Sequence, residues 1–329
     1  MNKKYNVFGI GNALVDYEIE ITDDFLNANE VEKGLMTLVE EDRQKVLLDV
    51  VSGKVKKRQS GGSAANSMIA LAQFGGKGFY TCKVADDQDG RLYKKEMDEL
   101  GLDTNLTSLP EGTTGKCLVM VTPDAQRTMN TFLGITSDLS TNEIDESALK
   151  DAEYIYIEGY LVSSPTGIEA IKKVKELAKA NGVKIAYTFS DPAMVKFFSD
   201  QSKEAVSGGL DLLFANDEEA QLFTGTEREE DAFEALKFYA SEFVMTRSEK
   251  GAWIWDGESK IEIAGNKVTA VDTTGAGDMF AGAFLYGITN GFSRKQAGEL
   301  ASLASAQVVA QFGPRLENEV SKNLLNSFK

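Results

Sequence analysis

The chain is expected to form an α/β fold, a doubly wound, mostly parallel central sheet with helices on both faces. Three observations predict it. Apolar strand-like runs alternate with longer amphipathic stretches, which is the order of βαβ units. The 329 residues are 42% hydrophobic and 26% charged, enough apolar material for a real core in one large domain or two ordinary ones. No apolar run approaches the ~20 residues that a membrane span needs.

Residues 7–10 read as the first strand, 67–74 as a helix and 78–84 as the next strand. Tyr154-Ile155-Tyr156-Ile157 is strand-like, and 166–180 is a helix with interleaved charges. Residues 184–189, 210–215 and 243–246 read as further strands, and 278–290 and 294–311 as two closing helices. Ligands are expected beyond the carboxyl ends of such strands. Two regions break the rhythm. Asp16-Tyr17-Glu18-Ile19-Glu20-Ile21 alternates as a half-exposed strand should, and 115–122 and 127–132 flank Pro123-Asp124-Ala125-Gln126 as a hairpin. No internal repeat, low-complexity stretch or long linker interrupts the chain, so 1–329 is expected to be a single domain.

Composition excludes several functions. With a net charge of −16, the chain should repel nucleic-acid phosphates, and its one basic cluster, Lys54-Val55-Lys56-Lys57-Arg58, reads as a solvated connector. The chain has no histidine, which removes Ser-His-Asp triads, Cys-His pairs and histidine metal sites. Cys82 and Cys117 lack C-x-x-C spacing, so neither a disulfide framework nor a zinc site is expected. Met1-Asn2-Lys3-Lys4-Tyr5-Asn6 leads into a strand without a signal-peptide apolar region, and the cytoplasm is the expected compartment. Gly9-Ile10-Gly11 could open a dinucleotide fingerprint, but Leu14 stands where its third glycine belongs.

The richest stretch is Asp272-Thr273-Thr274-Gly275-Ala276-Gly277-Asp278-Met279-Phe280-Ala281-Gly282. Gly275 and Gly277 allow backbone N–H groups to converge on one spot, and a helix starting near Gly277 adds unpaired donors and its positive dipole end. That combination is an anion hole. Asp278 beside it suits a base taking the proton of a hydroxyl that attacks a phosphoryl group, though Asp also simply stabilises helix starts.

This run has four companions in order along the chain. They are Gly9-Ile10-Gly11-Asn12-Ala13-Leu14-Val15-Asp16, Ser60-Gly61-Gly62-Ser63-Ala64-Ala65-Asn66-Ser67, Asn216-Asp217-Glu218-Glu219 and Thr246-Arg247-Ser248-Glu249-Lys250-Gly251. Together the five segments resemble the signatures of the PfkB, or ribokinase-like, family of sugar and nucleoside kinases. The resemblance implies a small β-sheet lid, inserted discontinuously at roughly 12–38 and 106–134. Lid closure would exclude water and suppress ATP hydrolysis.

The resemblance also implies roles. Asp278 is the base, the backbone of Gly275, Ala276 and Gly277 the anion hole, and Arg127 the cation that offsets the phosphoryl charge. Asp16 accepts hydrogen bonds from two neighbouring ring hydroxyls, with Asn12, Gly61, Gly62, Ser63 and Asn66 around the same acceptor. Asn216 and Glu219 organise magnesium and its waters about the ATP phosphates. Thr246, Arg247, Gly251 and Thr274 bind the nucleotide, and Ser248 departs from the glycine frequent in that turn, leaving its backbone geometry open. Asp272 is placed near a monovalent cation, potassium, in several family members. Ligands are therefore ATP and a small hydroxyl compound, with no nucleic acid and no membrane, in a monomer or a homodimer.

Ribokinases tend to carry G-G-K-G-A-N where this chain has Ser63-Ala64 for the Lys-Gly pair. That segment, the Asn12-to-Asp16 opening and Ile157-Glu158-Gly159-Tyr160-Leu161 look more like adenosine kinases. Leu14, Leu133 and Tyr160 would then line a purine slot. Adenosine is the first expectation for the acceptor, a free sugar such as ribose or fructose the second, and a non-catalytic nucleoside- or sugar-binding relative the third.

Overall fold

The computed structural model describes residues 3–124 and 126–328. Ala125, in the expected hairpin turn, and Met1, Asn2 and Lys329 lie outside them. Along the chain the strands are β1 (Tyr5–Ile10), β2 (Leu14–Glu20), β3 (Met36–Leu38), β4 (Val55–Gly61), β5 (Gly78–Thr81), β6 (Asp103–Thr104) and β7 (Thr114–Val121). There follow β8 (Arg127–Gly134), β9 (Ala152–Glu158), β10 (Lys184–Thr188), β11 (Leu210–Asn216), β12 (Ala240–Thr246), β13 (Ala252–Trp255) and β14 (Lys260–Ile263).

Among the described residues the main sheet has nine strands, in the order β14-β13-β12-β11-β10-β9-β1-β5-β6, and a second sheet is separate from it. All its pairs are parallel except β12–β13 and β13–β14 at one edge. Side chains alternate between its faces, and each face has its own core. Tyr154 and Tyr156 of β9 point into one core with the helices Ser63–Gln73, Ala276–Thr289 and Arg294–Val309. Ile155 and Ile157 point into the other, under the helix Pro165–Ala180. Helices thus cover both faces, as the βαβ alternation requires. Among the described residues no helix is long and apolar enough to cross a membrane.

The second sheet has five strands in the order β3-β8-β7-β2-β4. Its outer face buries Ile19, Leu118 and Met120 against Leu26, Leu47 and Val51, which lie in or beside the helices Asp23–Ala28 and Glu41–Val50. Its inner face, with Cys117 and Val119, looks towards the carboxyl ends of the main-sheet strands.

Two expectations are corrected here. The alternation in 16–21 does not make a half-exposed strand: β2 lies between β4 and β7, and its polar side chains Asp16 (6% exposed) and Glu18 (1%) face inward. Period-2 alternation separates two faces without saying which is wet. Nor is Lys54–Arg58 a connector: Lys54, Lys56 and Lys57 are exposed, but residues 55–58 open β4, which pairs with β2. Two of its charges have partners: Lys56 lies 3.5 Å from Glu20, and Arg58 Nε donates to Asp89 Oδ1 at 2.8 Å.

Candidate active site

Gly275 takes φ +74° as the residue before the helix Ala276–Thr289, a conformation that costs other residues strain. A Cβ there would also lie 2.4 Å from that of Pro314. The turn is braced by buried Asp272, whose Oδ1 accepts from Thr274 N (2.8 Å) and Oγ1 (2.6 Å). Its Oδ2 accepts from Gly313 N at 2.9 Å. Asp272 thus ties two loops together, while Gly275, Ala276 and Gly277 line the cavity at a helix start whose first N–H groups have no helical acceptors; Ala276 N makes a long bond of 3.4 Å to Thr273 O.

Asp278 follows in that first turn. Ser63 Oγ donates to its Oδ1 at 2.7 Å and Asn66 Nδ2 to its Oδ2 at 3.3 Å. Both donors come from the opening turns of the helix Ser63–Gln73. The two helices approach closely because of Gly282, where a Cβ would sit 2.2 Å from Ser67 O. Ser63, expected as an acceptor contact, is thus a direct partner of the carboxylate.

Asn12 follows the end of β1 by two residues. Glu158, at the carboxyl end of β9, accepts from Asn12 N at 3.0 Å and from Ala64 N at 2.8 Å, joining the first strand to the helix start. Gly62, with φ +108°, lets the chain pass Asn12, whose carbonyl oxygen a Cβ would meet at 2.3 Å. Gly61 lies behind the Asp16 carboxylate, outside the cavity lining. Glu158 lines the site and was not singled out from sequence, although a carboxylate closing an apolar strand of a parallel sheet is a readable signal.

One cavity gathers most of the expected residues. Asn12, Leu14, Asp16, Gly62, Ser63, Asn66, Arg127, Leu133 and Tyr160 line it together with Asn216, Glu219, Thr246, Thr274, Gly275, Ala276, Gly277 and Asp278. Asn216 caps the helix Asp217–Thr224 by accepting from Glu219 N, and Glu219 Oε2 accepts from Asn216 N at 2.8 Å. Arg247, Gly251 and Asp272 stand outside the lining. The Arg247 guanidinium lies 3.6 Å from the centre of the Trp253 ring, and its Nε donates to Glu229 Oε2 at 2.7 Å. Ser248 keeps a left-handed backbone at φ +50° without being glycine, a conformation that costs roughly 1–2 kcal/mol. Not anticipated is the apolar wall contributed by the small sheet: Met36, Leu38, Cys117, Val119 and Met129, beside Leu14 and Leu133.

The cavity holds buried carboxylates that desolvation makes hard to ionise. Burial pushes Asp16 and Glu158 up to about 7, Glu219 to about 8 and Asp278 to about 6. Hydrogen bonds from Ser63 and Asn66, then the charge of Arg127, hold Asp278 lower than burial alone would. Each of these groups titrates higher in the folded chain than in the unfolded one. The native state therefore keeps protons that the unfolded state releases, and their contribution to stability is lost as pH rises through 6 to 8. The Tm of the ligand-free protein is expected to fall from pH 5 to pH 8. A calorimetric Tm that rises across that window counts against this electrostatic picture.

The family model of the pfkB family carbohydrate kinase matches residues 38–320. The chain is similar to the adenosine kinase of Sinorhizobium meliloti, whose crystal structure superposes with a TM-score of 0.92 at 33% identity, over 98% of this chain and 99% of that one. It is also similar to a ribokinase of Haemophilus influenzae, 26% identical over 80% of this chain and 86% of the relative. The adenosine kinase of Schistosoma mansoni, solved with adenosine and AMP, shares the fold at a TM-score of 0.81 and 22% identity, over 97% of this chain and 99% of that one.

Proposed function

The chain belongs to the pfkB family of carbohydrate kinases, and on that premise we propose that it transfers the γ-phosphoryl group of ATP to the 5′-hydroxyl of adenosine, giving AMP. The observation that carries the chemistry is Asp278. Its carboxylate stands in the first turn after the Gly275 turn, held by Ser63 and Asn66, on the same cavity as Asp16. With its pKa raised to about 6, it is ionised at neutral pH and still basic enough to accept a hydroxyl proton. The first-turn N–H groups at Ala276 and Gly277 and the guanidinium of Arg127 meet the charge that develops on the phosphoryl oxygens.

Magnesium fits this donor set. Glu219 is a buried carboxylate whose charge burial disfavours, so a cation nearby would relieve it. Among the described residues no three His, Cys, Asp or Glu side chains form a metal cage. Asn216 and Glu219 would hold the ion through its waters, several of which magnesium keeps. When bound, it would neutralise charge on the ATP phosphates.

The acceptor reading rests on what the small sheet presents to the cavity. Asp16 offers a carboxylate for paired ribose hydroxyls. The wall of Leu14, Met36, Val119, Met129 and Leu133 offers an apolar face of the kind that suits a purine and would leave a free sugar's hydroxyls unpaired. Similarity to an adenosine kinase at 33% identity supports it. The test is ATP consumption by purified protein with adenosine, guanosine, inosine, ribose and fructose, with magnesium, with and without potassium. Selective turnover of adenosine is expected. Turnover of a free sugar alone would discard the nucleoside reading and keep the kinase. Lower turnover without potassium is expected if the loop braced by Asp272 holds that ion.

A further inference from the structure

The segment after the helix Arg294–Val309 sets one side chain behind the site, outside the cavity lining. Arg315, whose side chain is 10% exposed, has no counterpart among the sequence motifs. Its Nη2 donates to Ser60 O and, at 3.0 Å, to Ser60 Oγ. Its Nη1 lies 3.6 Å from Glu96 Oε2, the oxygen that also accepts from Ser60 N and Ser60 Oγ at 2.7 Å each. Its Nε points at Asn66 Oδ1 at 3.5 Å, a long contact strengthened by charge.

Two consequences follow from those partners. Asn66 receives Arg315 on its oxygen, which leaves its amide N–H turned to Asp278 Oδ2. The guanidinium and Glu96 together clamp Ser60, the residue before Gly61, and Gly61 is the backbone against which the Asp16 carboxylate rests. The same segment reaches the anion hole, because Gly313 N bonds Asp272 and Pro314 packs under Gly275.

We propose that Arg315 is a positioning residue for phosphoryl transfer. It orients Asn66 against Asp278 and fixes the Ser60–Gly61 corner behind Asp16, so that the base and the acceptor site are set by one side chain. Lysine cannot replace it, since a single ammonium lacks the fork that serves Ser60, Glu96 and Asn66 at once.

The inference rests on the kinase function proposed above, and its test separates the two. Steady-state kinetics are measured for wild type, Arg315→Met, Arg315→Lys and Glu96→Gln, with Tm recorded for each. Arg315→Met is expected to raise the acceptor KM and lower kcat, together by about 100-fold in kcat/KM, the scale of a ~1 Å misplacement. The ATP KM should stay within about twofold, as expected when no contact to ATP is removed. Arg315→Lys should recover only part of the loss. Glu96→Gln keeps the shape of the clamp and removes its charge, so it should raise the acceptor KM in the same direction in a folded protein. If Arg315→Met fails to fold, Glu96→Gln decides. An unchanged acceptor KM in the folded variants overturns the proposal, as does a loss shared equally by ATP and acceptor. A wild type that phosphorylates none of the acceptors overturns the kinase reading and this inference with it.

Discussion

Asp278→Asn is expected to lower kcat by about 10²–10⁴-fold, the usual contribution of a positioned general base, while the protein stays folded. Asparagine keeps an oxygen for the Ser63 hydroxyl, which now donates at 2.7 Å. Its amide would face the amide of Asn66, which now donates at 3.3 Å, so one donor pair is mismatched. That mismatch costs about 1–3 kcal/mol when a buried group is left unsatisfied. Against it stands the removal of a buried carboxylate whose pKa burial has raised to about 6. Above that pH the wild type carries the charge in an unfavourable setting and the variant does not. The Tm at pH 8 is therefore expected to lie close to that of the wild type, with both substrate KM values changed much less than kcat. Turnover near wild type would remove Asp278 from its role as base.

Gly61→Ala is expected to have the second large effect, confined to the acceptor. A Cβ on Gly61 would lie 2.1 Å from Asp16 Oδ2 and 2.3 Å from its Cγ, so the carboxylate must move. A displacement on that scale at a substrate-positioning group costs on the order of 100-fold in acceptor kcat/KM. ATP binding should be spared, because Gly61 lies at the end of β4 and not in the Gly275–Gly277 turn. Gly277→Ala is the contrasting variant. Its Cβ would meet nothing within 4 Å, so the fold should accept it, and any defect should fall on the ATP side. Kinetics with each substrate varied in turn distinguish the two. A wild-type acceptor KM in the Gly61→Ala variant would show that Asp16 does not hold the acceptor.

The legibility of the site in the sequence depends on how each residue is attached. Asp278, Gly275 and Gly277 sit in one contiguous turn-and-helix start, where spacing along the chain is also spacing in space. Asn216 and Glu219 are three apart across a helix start and form a reciprocal capping pair, again a local relation. Arg315 has no such signal. It is a lone basic residue after Gly313-Pro314, and its partners Ser60, Asn66 and Glu96 lie more than two hundred residues away in sequence. The inward face of β2 is intermediate. The alternation in 16–21 separates Asp16 and Glu18 from Tyr17 and Ile19, but only the neighbours of the strand decide that the carboxylates are buried.

Taken alone, the sequence determined the parallel α/β architecture, the glycine turn at a helix start, the aspartate beside it and the family to which these belong, because each is written in local pattern and short spacing. Tertiary structure decided the rest. It made a strand of the basic run at 55–58, turned Asp16 inward, and gathered an apolar wall from Met36, Val119 and Met129 on the same small sheet. It paired Ser63 with Asp278 and brought Arg315 behind both. Those arrangements depend on which faces of distant elements pack together, and burial chooses that only when the whole chain has folded.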